Sequence, residues 1–357
     1  MKGNKFLSFL IVCLALTAFL AGYIMVKRGA STGPQTGTIL DKFNGQATDK
    51  QPSAPKTGPE PILLTDRQVT FAINSSNKGG VLYYEKNTGK IFEVNTDDKT
   101  EQVVSDKTFS DLNSVIWSPN RKETLNFLNP PSGSSLKYYS LSTSSSVDLG
   151  SNIQSAAFSP DGNLVAYYYF DESTQDGKIM MTQPNGLYQK KILNTRLKDV
   201  SITWPSKDNM AIRTGADVFL LTEGGSLTKL IEGGLGFEEK WSPSGKKLLF
   251  SVFSGDTQNP STLLWLKDVE SKEEIPSELI GSANQCVWSI DDIHIFCSIP
   301  DSSSADVIYK INTNDWSSKM VAEPMMSVKE LLLSNLEDNL IFISATDEKL
   351  YSIKISN

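Results

Sequence analysis

The stretch Ala156–Phe170 reads AAFSPDGNLVAYYYF. Pro160 sets φ near the value wanted at the second position of a type I turn. Asp161 is tolerated at the third, and Gly162 adopts a positive φ without a Cβ penalty. The apolar runs on either side read as antiparallel strands, so Ser155–Ser159 and Leu164–Tyr169 are expected to form a β-hairpin. Two strands alone are marginal in water, so the hairpin must belong to something larger.

Imperfect copies recur: SVIWSPNRKETLNFL, SAAFSPDGNLVAYYY, SITWPSKDNMAIRT, EEKWSPSGKKLLFSV, QCVWSIDDIHIFCSI and ELLLSNLEDNLIFIS. The residue before each turn is Trp117, Phe158, Trp204, Trp241, Trp288 and Leu333, at intervals of 41, 46, 37, 47 and 45 residues. That is the period of a four-stranded propeller blade. Each unit continues with two more strand-like runs, such as KIMMTQP and GLYQKKIL after the second turn. Four of the six tryptophans occupy the one recurring position, which reads as packing against a neighbouring blade more readily than as a ligand cage.

Upstream, QVTFAINS, GVLYYEKN, KIFEVNTD and EQVVSD make a further set of four runs. The last unit has only three, ending in KLYSIKIS, and lacks its fourth strand. The unused run PILLTD (Pro61–Asp66) could supply it and close the ring. The fold expected is therefore all-β: a propeller of four-stranded antiparallel blades over 61–357, seven preferred with six and eight as alternatives. One N-terminal transmembrane helix is expected to precede it.

The strand–W/F-S-P-D/S-G–strand unit resembles the TolB-type propeller repeat, a relative of WD repeats. The complete SPDG occurs once, with SPSG and SPN as variants. The resemblance implies an extracytoplasmic propeller. The family's founding member carries a small α/β domain before its propeller, and here an anchor and tether stand in that place, so its partner-binding role does not carry over. The same repeat precedes the catalytic domain of prolyl-oligopeptidase-type enzymes. No such domain is expected here.

Phe6–Val26 is 21 residues without a charge, long enough as a helix to span the ~30 Å hydrocarbon core. A cleaved secretory signal is the rival reading, but its cleavage sites are poor, because cutting after Ala21 puts Phe19 at the −3 position. Residues 1–28 are thus read as an anchor with its N-terminus in the cytoplasm. Residues 29–60, rich in Gly, Pro, Ser, Thr and Gln, read as a disordered linker. The chain holds 41 acidic and 34 basic residues. Setting aside Lys2, Lys5, Lys27 and Arg28 leaves a net charge of −11 on the remainder, which argues against a nucleic-acid partner.

No G-x-S-x-G elbow, C-x-x-C or phosphate loop is present. The sole histidine, His294, reads as an ordinary strand residue. NTDDKT and NTNDW lack the full ligand series of a calcium loop. No catalytic residue, metal or cofactor is expected. Cys286 and Cys297 are equidistant from Asp291–Asp292. A two-residue turn there would set them directly opposite, where an extracytoplasmic location permits a disulfide, whereas a one-residue bulge would put them on opposite faces. Two buried free thiols are the plainer reading.

Strand order puts the A–B and C–D turns on one side of the propeller and the B–C and D–A connections on the other. The B–C loops are long, polar and unequal: NPPSGS, FDESTQDG, FSGDTQNPS and IPDSSSAD, against TGAD in the third unit. Such loops on a rigid scaffold are where binding collects. Asp171, Glu172, Asp176, Asp256, Asp301 and Asp306 are the candidates. The chain reads as a membrane-tethered, monomeric propeller that binds a protein or peptide through these loops. The rival readings are a lyase or hydrolase working with carboxylates in the central channel, which would need two acids facing each other there, and a propeller subunit of an enzyme whose catalytic chain is separate.

Overall fold

The computed structural model describes residues 59–129, 134–254, 261–301 and 305–355. The expected anchor, most of the expected linker, and Asp256 lie outside the described residues. Seven antiparallel sheets of four strands are found. Blades 1 to 6 span 69–105, 112–151, 153–195, 200–231, 238–280 and 286–322, each in sequential strand order A to D. Blade 7 takes its first three strands from 328–354 and its fourth from Ile62–Leu63. The molecule is a seven-bladed β-propeller. Among the described residues the one helical element is the 3-10 turn Ala283–Gln285, and no helix is long and apolar enough to cross a membrane.

The repeat turn explains its own chemistry. Gly162 has φ +76° and donates to Ser159 O at 2.8 Å. The Ser159 hydroxyl donates to Asp161 Oδ1 (2.6 Å) and accepts from Leu164 N (2.9 Å). Ser118, Ser242 and Ser334 likewise accept from the backbone N–H five residues on, Glu123, Lys247 and Asn339. All four serines are buried, so each satisfies a turn donor that water cannot reach. Because Ser159 and Leu164 close the turn, the strands are Ile153–Phe158 and Val165–Asp171, displaced by a residue or two from the expected bounds.

The anchor tryptophans reach the preceding blade. Trp117 Nε1 donates to Phe71 O of blade 1 at 2.8 Å, and Trp288 Nε1 to Lys240 O of blade 5 at 3.1 Å. Trp204 joins the core between blades 3 and 4, with Tyr168, Phe170 and Met210. Equivalent cores lie between blades 1 and 2, around Tyr84 and Phe109, and between blades 6 and 7, around Phe296 and Phe342. Each fully buried large side chain contributes about 1.5–3 kcal/mol, so the blades hold one another through these seams.

Ring closure follows the expectation from the missing strand. Ile62 pairs with Ser352 and Leu63 with Tyr351, and Leu64 N donates to Leu350 O at 2.9 Å. Leu64, 5% exposed, enters the core between blades 7 and 1. Pro61 directly precedes the strand, and since Leu64 N points inward to Leu350 O, alternation turns the Pro61 position outward, which blunts this sheet edge against further pairing. In blade 6, Cys286 and Cys297 are direct cross-strand partners joined by a disulfide, without the bulge that would have parted them.

Candidate binding face

Among the described residues, the candidate acids of the B–C side lie on two blades, the third and the sixth. Asp171 and Asp176 face each other across the blade 3 hairpin. Asp171 accepts from the Ser173 hydroxyl (2.6 Å) and N–H (2.9 Å), which hold its carboxyl below the ordinary range; it caps its own turn. Asp176 lies 3.7 Å from Arg196 Nε. Glu172 is exposed, and its carbonyl accepts from Gln175. Asp301 donates its N–H to Ala305 O in the blade 6 loop. Asp256 lies outside the described residues.

Asp306 corrects the expectation of a solvated loop acid. It is 4% exposed, and its Oδ2 accepts from Ser298 Oγ (2.6 Å) and from Val328 N of blade 7 (2.9 Å). The carboxylate ties two blades together and presents nothing to a partner. No sequence signal marked this, because Val328 is 22 residues away and meets Asp306 only in the folded ring.

What the loop reading missed is apolar. Leu235, in the connection from blade 4 to blade 5, is 84% exposed, and Phe253, near the end of the Lys247–Ser254 strand, is 56% exposed. Phe253 N donates to Leu235 O at 2.9 Å, so the two are neighbours on the B–C side. Gly236 permits the approach: a Cβ there would fall 2.6 Å from the Phe253 ring. The run GGLGF holds Leu235 and the half-buried Phe237, not Phe253, so no local pattern in it announced the pair.

The inner strands Glu238–Trp241 of blade 5 and Val328–Leu333 of blade 7 place Lys240 and Glu330 along the channel, both half-buried. Burial lowers the Lys240 amine and raises the Glu330 carboxyl, each opposed by the other's charge. The channel thus sets a cation against an acid, where two facing acids were the expected mark of carboxylate chemistry. Glu239, raised by burial and opposed by Arg213 Nε at 3.5 Å, belongs to the seam with blade 4.

A groove of about 830 Å³ runs along the closing seam, lined by Leu63, Asp66, Arg67, Glu85 and Glu101 among others. Arg67 lies over the Phe92 ring at 4.1 Å and donates to Glu85 Oε1 (2.5 Å) and Glu101 Oε2 (3.1 Å). Tyr83 donates to the other oxygen of Glu101. Through these two bonds Arg67 clamps the closing segment 61–66, the latch, to blade 1.

No protein-family model and no curated protein matches this chain. Solved structures do. An oligogalacturonate lyase in complex with manganese aligns at TM-score 0.61 and 14% identity, over 83% of this chain and 93% of that one. The propeller domain of the Trilobed protease from Pyrococcus furiosus, described as having an open velcro topology, aligns at 0.56 and 13%, over 82% and 97%. TolB from Acinetobacter baumannii aligns at 0.46 and 14%, over 71% and 62%. At such identities the likeness is one of fold. Manganese is that lyase's; among the described residues here, no group of three or more His, Cys, Asp or Glu is placed to hold a metal.

Proposed function

We propose that this chain is a membrane-tethered, extracytoplasmic propeller whose B–C side binds a protein partner. The observation that carries the reading is the exposed pair Leu235 and Phe253 on that side. Large apolar side chains exposed together and surrounded by polar loops mark interaction sites, and aromatic anchors dominate their energetics. The uncharged run Phe6–Val26 supports the tether.

The test is proximity labelling from intact membranes with the full chain as bait, comparing wild type with Leu235→Asp/Phe253→Asp. Neighbours lost in the double variant, with membrane level unchanged, support the reading. An identical labelling pattern removes this face from it.

A second reading is chemistry in the channel, favoured by the opposed Lys240 and Glu330, whose burial draws both towards their neutral forms. A lysine lowered and a carboxyl raised by burial exchange protons with a bound ligand more readily than ordinary ones. Reagents that acylate neutral amines would then label Lys240 at a lower pH than the exposed lysines, in a pH series read by mass spectrometry.

A further inference from the structure

On blade 1, towards its A–B and C–D turns, lies a second groove of about 330 Å³, which meets the first at Glu101. It is on the other side of the propeller from Leu235 and Phe253, so its chemistry is independent of any partner bound there. Glu93, on the Ile91–Asn95 strand, forms part of its wall and is 8% exposed. Burial pushes the Glu93 carboxyl up, but hydrogen bonds from Ser75, Asn77 and Gln102 outweigh it and hold the group below its ordinary range. It is an anion at neutral pH. Among the described residues no lysine or arginine pairs with it. A buried charge without a counter-ion is costly, and such charges are normally paired.

The geometry around this anion is specific. Asn77 Nδ2 donates to Oε1 and Gln102 Nε2 to Oε2, each at 2.8 Å. A carboxylate can only accept, so it fixes which end of each amide is nitrogen. Both amides also line the groove, and an amide that donates through its nitrogen still has its carbonyl oxygen to accept with. Gly80 leaves room for the carboxylate and the Ser75 hydroxyl that bonds it: a Cβ there would lie 2.4 Å from Ser75 Oγ and 2.5 Å from Glu93 Oε1.

We propose that this groove binds a primary ammonium group, with Glu93 as its counter-ion and the side-chain carbonyls of Asn77 and Gln102 as further acceptors. An ammonium is compact and carries three N–H donors, which matches one carboxylate and two carbonyls. A guanidinium fork is best met by a bidentate carboxylate, and both oxygens of Glu93 already hold an amide. The ammonium comes from a lysine side chain of a protein or from a free diamine.

Titration calorimetry on the full-length chain in detergent, at low salt, separates these. The probes are Nα-acetyl-lysine amide, its Nε-acetylated counterpart and cadaverine. Saturable binding of an amine, with none of the Nε-acetylated compound, is expected. Preference for the lysine derivative assigns a side chain, and preference for cadaverine a diamine. Glu93→Gln keeps the side-chain shape and should weaken binding by at least about tenfold, as expected for loss of a charge-assisted bond. Gly80→Ala keeps the charge but crowds the groove and should weaken it similarly. Melting curves check that both variants are folded. Absence of saturable binding to wild type, or undiminished binding in folded Glu93→Gln, overturns the proposal.

Discussion

Glu337 Oε1 accepts a hydrogen bond from Ile290 N at 2.7 Å, and the Ser289 hydroxyl donates to the same carboxylate at 2.9 Å. One repeat turn thereby braces the next, blade 7 against blade 6. Glu337 has φ +57°, as Gly162 has +76° and Gly245 +70° at the matching position. At Gly245 the turn lies close to its neighbour: a Cβ there would fall 2.2 Å from Pro205 O of blade 4. In blades 6 and 7, where the repeat departs from glycine, an acid bridges the gap. Asp292 does the same for blade 5, accepting from Ser244 N at 3.2 Å.

Glu337→Ala should therefore cost about 1–2 kcal/mol, the loss of a bond that satisfies a backbone donor. Glu337→Gly should cost less by roughly 0.5–1 kcal/mol, because glycine relieves the left-handed backbone. Denaturant melts of the three proteins check the order. Alanine melting at or above glycine would show that the left-handed backbone is not the deciding cost at this position.

Tryptophan truncations should be unequal. Trp288 is 7% exposed and its Nε1 is bonded, so Trp288→Ala is expected to cost about 3–5 kcal/mol. Trp241 is only half-buried and its Nε1 has no partner, so Trp241→Ala should cost about 2–3 kcal/mol. Equal losses would show that the indole bond adds nothing to the seam.

These cases show what the sequence made legible. The turn, the period and the missing strand are local or periodic, so SPDG, the tryptophan spacing and PILLTD led to the blades and their closure. The roles of Asp306, Glu337 and Glu93 were hidden because each depends on an atom that only folding brings near. The exposure of Leu235 and Phe253 was hidden for the opposite reason. An apolar residue in a glycine-rich connection reads the same whether or not a neighbouring blade covers it.

The latch is short, and it should be decisive. Deleting 61–66 removes the Ile62–Leu63 strand, the buried Leu64 and the Lys349–Asp66 ion pair at 3.0 Å. Leu64 alone is worth about 2–3 kcal/mol, and each kcal/mol shifts Tm by roughly 2–4 °C in a domain of this size, so a fall of at least ~5 °C is expected. Deleting 29–55 should leave Tm unchanged. Equal melting temperatures for the two deletions would sink closure by this strand.

The same seam should respond to acid. Lys329 and Lys86 bond the Glu348 carboxylate and depress it to about 2. A depressed carboxyl stabilises the fold above its unfolded pKa and loses that contribution as pH falls through the folded one. The window therefore runs from about 4.5 down to about 2. Glu348→Gln should be less stable than wild type at pH 6, and the gap should narrow as pH falls through that range. A gap independent of pH would show that the two lysines do not act on Glu348 through its charge.

The disulfide joins chemistry to location. Cys286 and Cys297 are each 1% exposed, lie opposite one another and close a loop with a sequence separation of 11. Constraining a loop of that size is worth about 3 kcal/mol in the chain-entropy account, so reduction should lower stability by that order. Protein purified without reductant, unfolded and alkylated, should carry label on Cys13 alone, with Cys286 and Cys297 labelled only after reduction. Such bonds persist in oxidising compartments and are rare in the cytosol. Retention of the bond in protein alkylated during cell lysis would therefore support a propeller outside the cytoplasm. Full alkylation of both thiols before reduction would show that they are free in the cell, and the localisation would then rest on the uncharged N-terminal run and the repeat resemblance alone.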